Sequence, residues 1–419
     1  MMRSSSGRAR STLLLAAAAL AVAAVVIAAG GTLLPQAATE QSAPVRPAAP
    51  RPATAAEMQA AAVRATAALR ARDDAAWATA LPAENGARRA VAGLYRHLVR
   101  LPWSGVRIVA EPVDGRAGRF FVGAVGELAG ADPPDRIMAR RVVDAEVRGG
   151  RLVLRADVTP RDIRGQQVMA FERPIVVRRN GLVVIADEDQ RPAAEEVARA
   201  GRLARVRLRL LGITSRKPVV VYYYASRKQM VRSLGEDPGG DHVRFFSHPP
   251  MHLDDTPTWT RDIGVLGPAL AGKDSWTPRM LAHELTHAYT TSWFEGTRHA
   301  PSLLAEGLAT AVEGGRSFQP LREDLGASTS RFPLEKALRA KSLWKGHGLR
   351  EARLAYLEGA SLVLYVLDAW KLRGLKRFVR AVSDSDLTAR GLDAAARTSL
   401  GVGWKELRAS WESYVQALP

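Results

Sequence analysis

Apolar and polar positions change rhythm several times along this chain, and each change predicts a different kind of element. Leu13 to Ala29 is apolar without interruption, behind an N-terminal stretch that carries Arg3, Arg8 and Arg10. With Thr32-Leu33-Leu34 beyond Gly30-Gly31 the run reaches about 20 residues, enough to cross a bilayer. The basic flank predicts a cytoplasmic N-terminus with the remainder outside. Residues 1–34 therefore read as a transmembrane anchor, with a cleaved signal peptide as the alternative. Residues 35–54 are rich in Pro and Ala and read as an extended tether.

From residue 55 the rhythm is helical, then alternating. Glu57–Ala80 and Ala87–Leu101 have helical composition. They are followed by strand-like runs at Gly105–Ala110, Arg119–Glu127, Arg136–Val147, Arg151–Thr159, Val168–Phe171 and Leu182–Ala186. Gly149-Gly150 between two of these runs predicts a hairpin turn. Helices followed by a meander predict an α+β domain over 55–190, closed by Gln190-Arg-Pro192.

Residues 193–419 start again with a helix, Ala193–Leu211, whose apolar positions Val197, Ala200, Leu203, Val206 and Leu210 recur at three and four. Its arginine face reads as solvated. Pro218–Tyr224 has the unbroken apolar and aromatic character of a strand buried on both faces, which accounts for Tyr222, Tyr223 and Tyr224 without a functional role. Residues 234–262 read as loop, and Asp262–Leu266 as a short strand at the sheet edge. Helices are expected from Pro278 and from Pro301 to Glu313, and then over Leu354–Leu372, Gly374–Val382 and Trp404–Leu418. Trp411 and Tyr414 are the expected packing residues of the last, and 314–350 reads as a surface segment.

Composition narrows the function classes. The 419 residues include no cysteine, which excludes disulfides, thiol nucleophiles and thiolate-bound metals. The formal net charge of +18 would suit a nucleic-acid binder. Its arginines are spread over the whole chain beside abundant Ala, Gly and Pro, however, as a GC-rich coding bias produces. No nucleic-acid-binding motif accompanies them. A positive field still favours encounters with anionic lipid or an acidic cell wall.

The chemistry concentrates at His283-Glu284-Leu-Thr-His287, an H-E-x-x-H pattern on the helix that Thr277-Pro278 opens. Residues four apart share a helix face, so His283 and His287 can hold one Zn²⁺ while Glu284 serves as the base. Eighteen residues later Glu306 enters from the Pro301–Glu313 helix, completing a two-His-one-Glu set with a fourth position for water. Each of these has an ordinary reading, as buried core histidines or a helix-face ion pair. The combination at this spacing outweighs it.

H-E-x-x-H, the 18-residue gap and the E-G-x-A-x-x-x-E run of Glu306–Glu313 resemble the gluzincin metallopeptidases, in particular the aminopeptidase N type. Tyr356-Leu-Glu-Gly359-Ala360 is similar to that family's Y-x-x-G-A helix. The resemblance implies a gluzincin domain over 193–419: a small sheet, the zinc helix and a C-terminal helical half. It implies Zn²⁺ on His283, His287 and Glu306, Glu284 as general base and Tyr356 as oxyanion donor. Two departures stand out. Ala305 occupies a position where those enzymes carry Asn, and no G-x-M-E-N strand precedes the zinc helix. Arg70-Ala-Arg72-Asp73-Asp74-Ala-Ala-Trp77 followed by strands resembles the cone-like fold of nuclear transport factor two and scytalone dehydratase. That would make 55–190 a ligand-holding or interaction module.

The expected activity is a zinc peptidase tethered at the cell membrane, or secreted if the N-terminal segment is cleaved. Its partners would be a peptide or protein substrate and, through residues 1–34, the membrane. In the resembled enzymes an acidic group ahead of the zinc helix grips a free N-terminus. Ile263–Gly267 offers none, and Asp262 is the nearest carboxylate, so internal cleavage is expected. The alternatives are a tethered binding or scaffolding protein that keeps the fold without activity, and a small-molecule binder working through the first module. Asp73 and Asp74 read as helix-end charges, and His242, His248 and His252 as surface histidines.

Overall fold

The computed structural model describes residues 49–418, apart from 129–130, 161–166, 236–244, 249–260, 268–276, 315–316, 327–333, 341–342 and 344–348. The expected anchor and most of the tether, with His242 and His252, lie outside the described residues. Among those residues no helix is long and apolar enough to cross a membrane.

The protein is mixed α+β with two five-stranded sheets. The first sheet takes β1 (Arg51–Pro52), β2 (Trp103–Pro112), β3 (Arg119–Leu128), β4 (Ala131–Arg148) and β5 (Arg151–Asp157). Its order is β1-β4-β3-β2 with β5 also on β4, all antiparallel. Gly149 and Gly150 both have positive φ, as a two-residue hairpin turn requires. Three helices pack on this sheet: α1 (Ala55–Ala71), α2 (Asp74–Ala80) and α3 (Asn85–Leu98). The single helix expected over Glu57–Ala80 is two. Arg72 turns left-handed at φ 56°, and Asp73 then caps α2 by accepting from the Ala76 amide at 2.9 Å. Met58, Ala61, Trp77, Leu94 and Leu98 fill the core against Ile108, Val122 and Ala124.

Val168–Phe171, expected as a strand, forms a short 3-10 turn over Gln167–Ala170. β6 (Pro174–Arg179) and β7 (Leu182–Asp187) follow, and they join the second sheet although they precede the compositional break at Gln190. This sheet continues, after α4 (Arg191–Leu210), with β8 (Val219–Tyr224), α5 (Arg227–Leu234), β9 (Phe245–His248) and β10 (Asp262–Leu266). Its order is β6-β7-β8-β10-β9, with β8 parallel to β7 and β10, and β9 antiparallel to β10. Asp262–Leu266, expected at the edge, is therefore interior, and Phe245–His248 holds the edge position.

This second sheet is buried on both faces, and strand periodicity decides which side chain goes where. Val184, Val221 and Tyr223 join the helical core, whereas Ile185, Val220, Tyr222 and Tyr224 join the core of the first sheet. The tyrosine triplet is packing, as expected. An ion pair between Arg136 of β4 and Asp262 of β10 links the two sheets, with both side chains about 2% exposed. Burial opposes the Arg136 charge, but Asp262 and Tyr222 outweigh it and hold the guanidinium pKa above its usual value.

The remaining chain is helical: α6 (Thr277–Thr290), α7 (Ser302–Glu313), α8 (Gln319–Gly326), α9 (Leu334–Arg339), α10 (Leu349–Asp384), α11 (Ala389–Leu400) and α12 (Trp404–Ala417). α10 is interrupted at Lys371, where φ is 58°, so the two expected segments 354–372 and 374–382 meet at a break. Residues 314–350 do not simply cross the surface. α8 and α9 bury Leu321, Leu334, Ala337 and Leu338 in the helical core. Trp411 is buried there too and donates through Nε1 to Ser361 Oγ at 3.0 Å. Tyr414 sits at the margin, donating to Asp368 at 2.6 Å.

Candidate metal centre

α6 is fixed from two sides. Leu281, Ala282 and Leu285 point into the helical core, while His283 and His287 face α7. Glu306 of α7 meets both: its Oε2 lies 3.3 Å from His283 Nε2 and 3.5 Å from His287 Nε2. Donor atoms of these three residues all lie within 4.8 Å of one another, the only such group of three among the described residues. Donors held tetrahedrally about 2.0–2.1 Å from zinc stand roughly 3.3–3.4 Å apart. The observed separations fit that geometry. His283, His287 and Glu306 are thus brought together as the sequence implied, and the group can hold a metal ion.

The electrostatics are those of a site built for a cation. Burial disfavours the His283 imidazolium, but hydrogen bonding to Glu306 and Glu313 outweighs it and pushes its pKa up to about 10. Burial likewise works against the Glu306 charge. The His287 and His283 rings override it and hold the carboxyl well below its usual range. Glu284 is 5% exposed, and burial raises its carboxyl above the ordinary range, partly offset by the two histidines. A carboxylate with a raised pKa suits proton transfer near neutral pH.

Tyr356 comes from α10 and is mostly buried, its ring stacked on His283 with centroids 6.4 Å apart and planes 21° from parallel. Glycines make this approach possible. A Cβ on Gly307 would stand 2.3 Å from the Gly359 carbonyl carbon, and one on Gly359 would stand 2.4 Å from the Leu303 carbonyl oxygen. α7 and α10 therefore touch backbone to backbone at the glycines that follow Glu306 and Tyr356. That contact sets both side chains beside α6.

Two groups at the site escaped the sequence reading. Glu313, about two helical turns along from Glu306, places Oε2 3.3 Å from His283 Nδ1, where it can orient the ring. The last Glu of E-G-x-A-x-x-x-E was the available signal. Arg261, just before β10, is partly buried near Glu306 and Glu284. It lines a cavity of about 300 Å³ with Lys217, Asp262, Ala288 and Tyr289. No local pattern marks it.

Other expectations resolve differently. Asp262, the first residue of β10, is committed to Arg136 inside the protein. His248 lies on β9 with its ring 5.9 Å from Tyr222 and 5.8 Å from Phe246, outside the metal group. No protein-family model matches the chain, and no curated protein matches it.

Proposed function

We propose that the protein is a zinc peptidase that cleaves extended peptides internally, outside the cytoplasmic membrane. The observation that carries this reading is the pair of separations, 3.3 and 3.5 Å, from Glu306 to two imidazole nitrogens one turn apart on a buried helix. Those residues would hold zinc and leave one position open. When bound there, zinc supplies Lewis acidity toward a carbonyl and lowers the pKa of water.

The protein's own groups do the rest. Glu284, buried beside the histidines, takes a proton from the attacking water and returns it to the departing amine. Tyr356, stacked on His283, offers its hydroxyl to the oxygen that gains charge on the substrate. Arg261 adds positive charge on the Glu284 side. The open edge of β9 provides main-chain groups that an extended substrate can pair with.

Among the described residues, nothing at this edge selects a free N-terminus. Phe245-Phe246-Ser247-His248 contains no carboxylate, and Asp262 is already paired. A substrate ammonium buried here would lack a partner, so a terminal amine gains nothing.

The test is to measure zinc in the gently purified protein and to screen a mixed peptide library with and without a chelator. Chelator-sensitive internal cleavage supports the proposal. A protein that is metal-free and cannot be reloaded refutes it, and a zinc-loaded protein without cleavage points to a binding role.

A further inference from the structure

α4 turns three of its large apolar side chains away from the core. The residues it buries are Ala194, Val197, Ala198, Ala200, Gly201, Ala204 and Leu208. Leu203, Val206 and Leu210 are instead 52%, 44% and 79% exposed, three of the four large apolar residues found exposed in the described protein. Spaced by three and four, they form one stripe along the outer face of the last two turns.

Arginines border this stripe. Arg199, Arg202 and Arg209 are exposed on the same side. Arg179, from the β6–β7 turn, lines with Arg199, Arg202 and Leu203 a shallow groove that continues the surface. The helix's other two late arginines have structural tasks. Arg205 donates to the Asn180 and Ser215 carbonyls, and Arg207 to the Glu313 carbonyl at 2.8 Å. Among the described residues, the acidic groups near the stripe are Glu195, 4.0 Å from Arg199, and Glu196 in the groove, both toward the N-terminal half.

We propose that this face of α4 rests on an anionic lipid surface. An apolar stripe flanked by arginines on a helix lying flat matches the interfacial mode of membrane binding. The apolar side chains enter the acyl boundary, and the guanidinium groups reach the headgroup phosphates. A protein partner fits less well. Three side chains on a convex helix fall far short of the roughly 800 Å² that each partner of a stable interface buries. Because α4 packs on α6 with its opposite face, the helix with the metal group would lie one helix layer above the lipid, roughly 8–10 Å between axes.

The experiment uses residues 48–419, which form a compact unit by themselves and lack the N-terminal apolar run. The protein is sedimented with phosphatidylcholine vesicles with and without phosphatidylglycerol. Two variants are compared, Leu203→Gln/Val206→Gln/Leu210→Gln and Arg199→Gln/Arg202→Gln/Arg209→Gln. All six side chains are exposed, and unchanged zinc uptake and circular dichroism verify the fold. Binding is expected only with the anionic lipid and is expected to weaken with salt. Each triple variant should lower partitioning at least tenfold, roughly fivefold for each arginine removed. Three results would overturn the proposal: no sedimentation with anionic vesicles, sedimentation of either variant equal to that of the unchanged protein, or a concentration-dependent dimer abolished by the Leu/Val/Leu variant.

Discussion

At the scale of single residues, the proposed function separates binding from proton transfer. Glu284 is not part of the three-residue donor group, so Glu284→Gln should keep zinc and fold while lowering turnover by roughly 10²–10⁴-fold. Parallel measurement of kcat and bound zinc checks this, and loss of zinc would assign Glu284 another task. Glu313→Gln should leave the ligand set complete yet weaken zinc binding about 10–100-fold, since it removes the partner of His283 Nδ1. His283 also predicts a pH dependence. In the metal-free protein its pKa is raised from 6.5 to about 10. The stability this contributes is complete below about pH 6.5 and is lost as pH climbs through 10. With zinc bound the ring must be neutral, so the loss disappears. Denaturant midpoints across this range, with chelator and with zinc, should diverge in that way.

At the scale of elements, the contact between α7 and α10 controls whether Glu306 and Tyr356 reach α6. Gly359→Ala puts a methyl group against the Leu303 carbonyl and forces the helices apart. Overpacking of this kind costs about 1–3 kcal/mol. Thermal unfolding should show it, together with reduced zinc affinity. Unchanged unfolding and zinc affinity would mean that the contact is slack. The edge strand carries a second expectation. N-terminal acetylation of a test peptide should leave its cleavage rate within about twofold, whereas stepwise shortening of the free peptide alone would reverse the proposed specificity. These elements also mark where the sequence was legible. H-E-x-x-H, its 18-residue spacing to Glu306 and the proline and glycine bounds of α7 are local features, and all recur in the structure. The phase of α4 was not legible. Five of its seven buried positions are Ala or Gly, with Val197 and Leu208 the exceptions, and such small residues carry little hydrophobic signal beside Leu203, Val206 and Leu210. α8 and α9 escaped for a related reason: eight and six residues are too few for a helical period to stand out.

At the scale of the whole molecule, the second sheet is the shared wall between the helical half and the α1–α3 module, and the Arg136–Asp262 pair crosses it. Asp262→Ala leaves a guanidinium buried without this partner and should destabilise the protein by about 3–5 kcal/mol. Replacing both residues, as in Arg136→Met/Asp262→Leu, should cost far less. Urea unfolding of the two variants distinguishes them. Equal destabilisation would show that Arg136 owes its place to its other contacts. Because both cores meet at this sheet, the variant with Asp262 alone removed is also expected to weaken zinc binding, since β10 supports α6.

What the sequence determined by itself was set by neighbours along the chain: the α+β class, the placement of most helices and strands, the hairpin at Gly149-Gly150 and the shared helix face of His283 and His287. A helical turn or strand alternation brings such residues onto one face whatever the rest of the chain does. Tertiary structure alone decided the rest. It made β9 rather than β10 the edge, drew β6 and β7 into the second sheet and buried Asp262 by pairing it with Arg136, 126 positions away. It also turned Leu203 and Leu210 of α4 outward and brought Glu306 and Glu313 to His283. Each of these depends on which surfaces meet across long chain separations, and local periodicity carries no record of that.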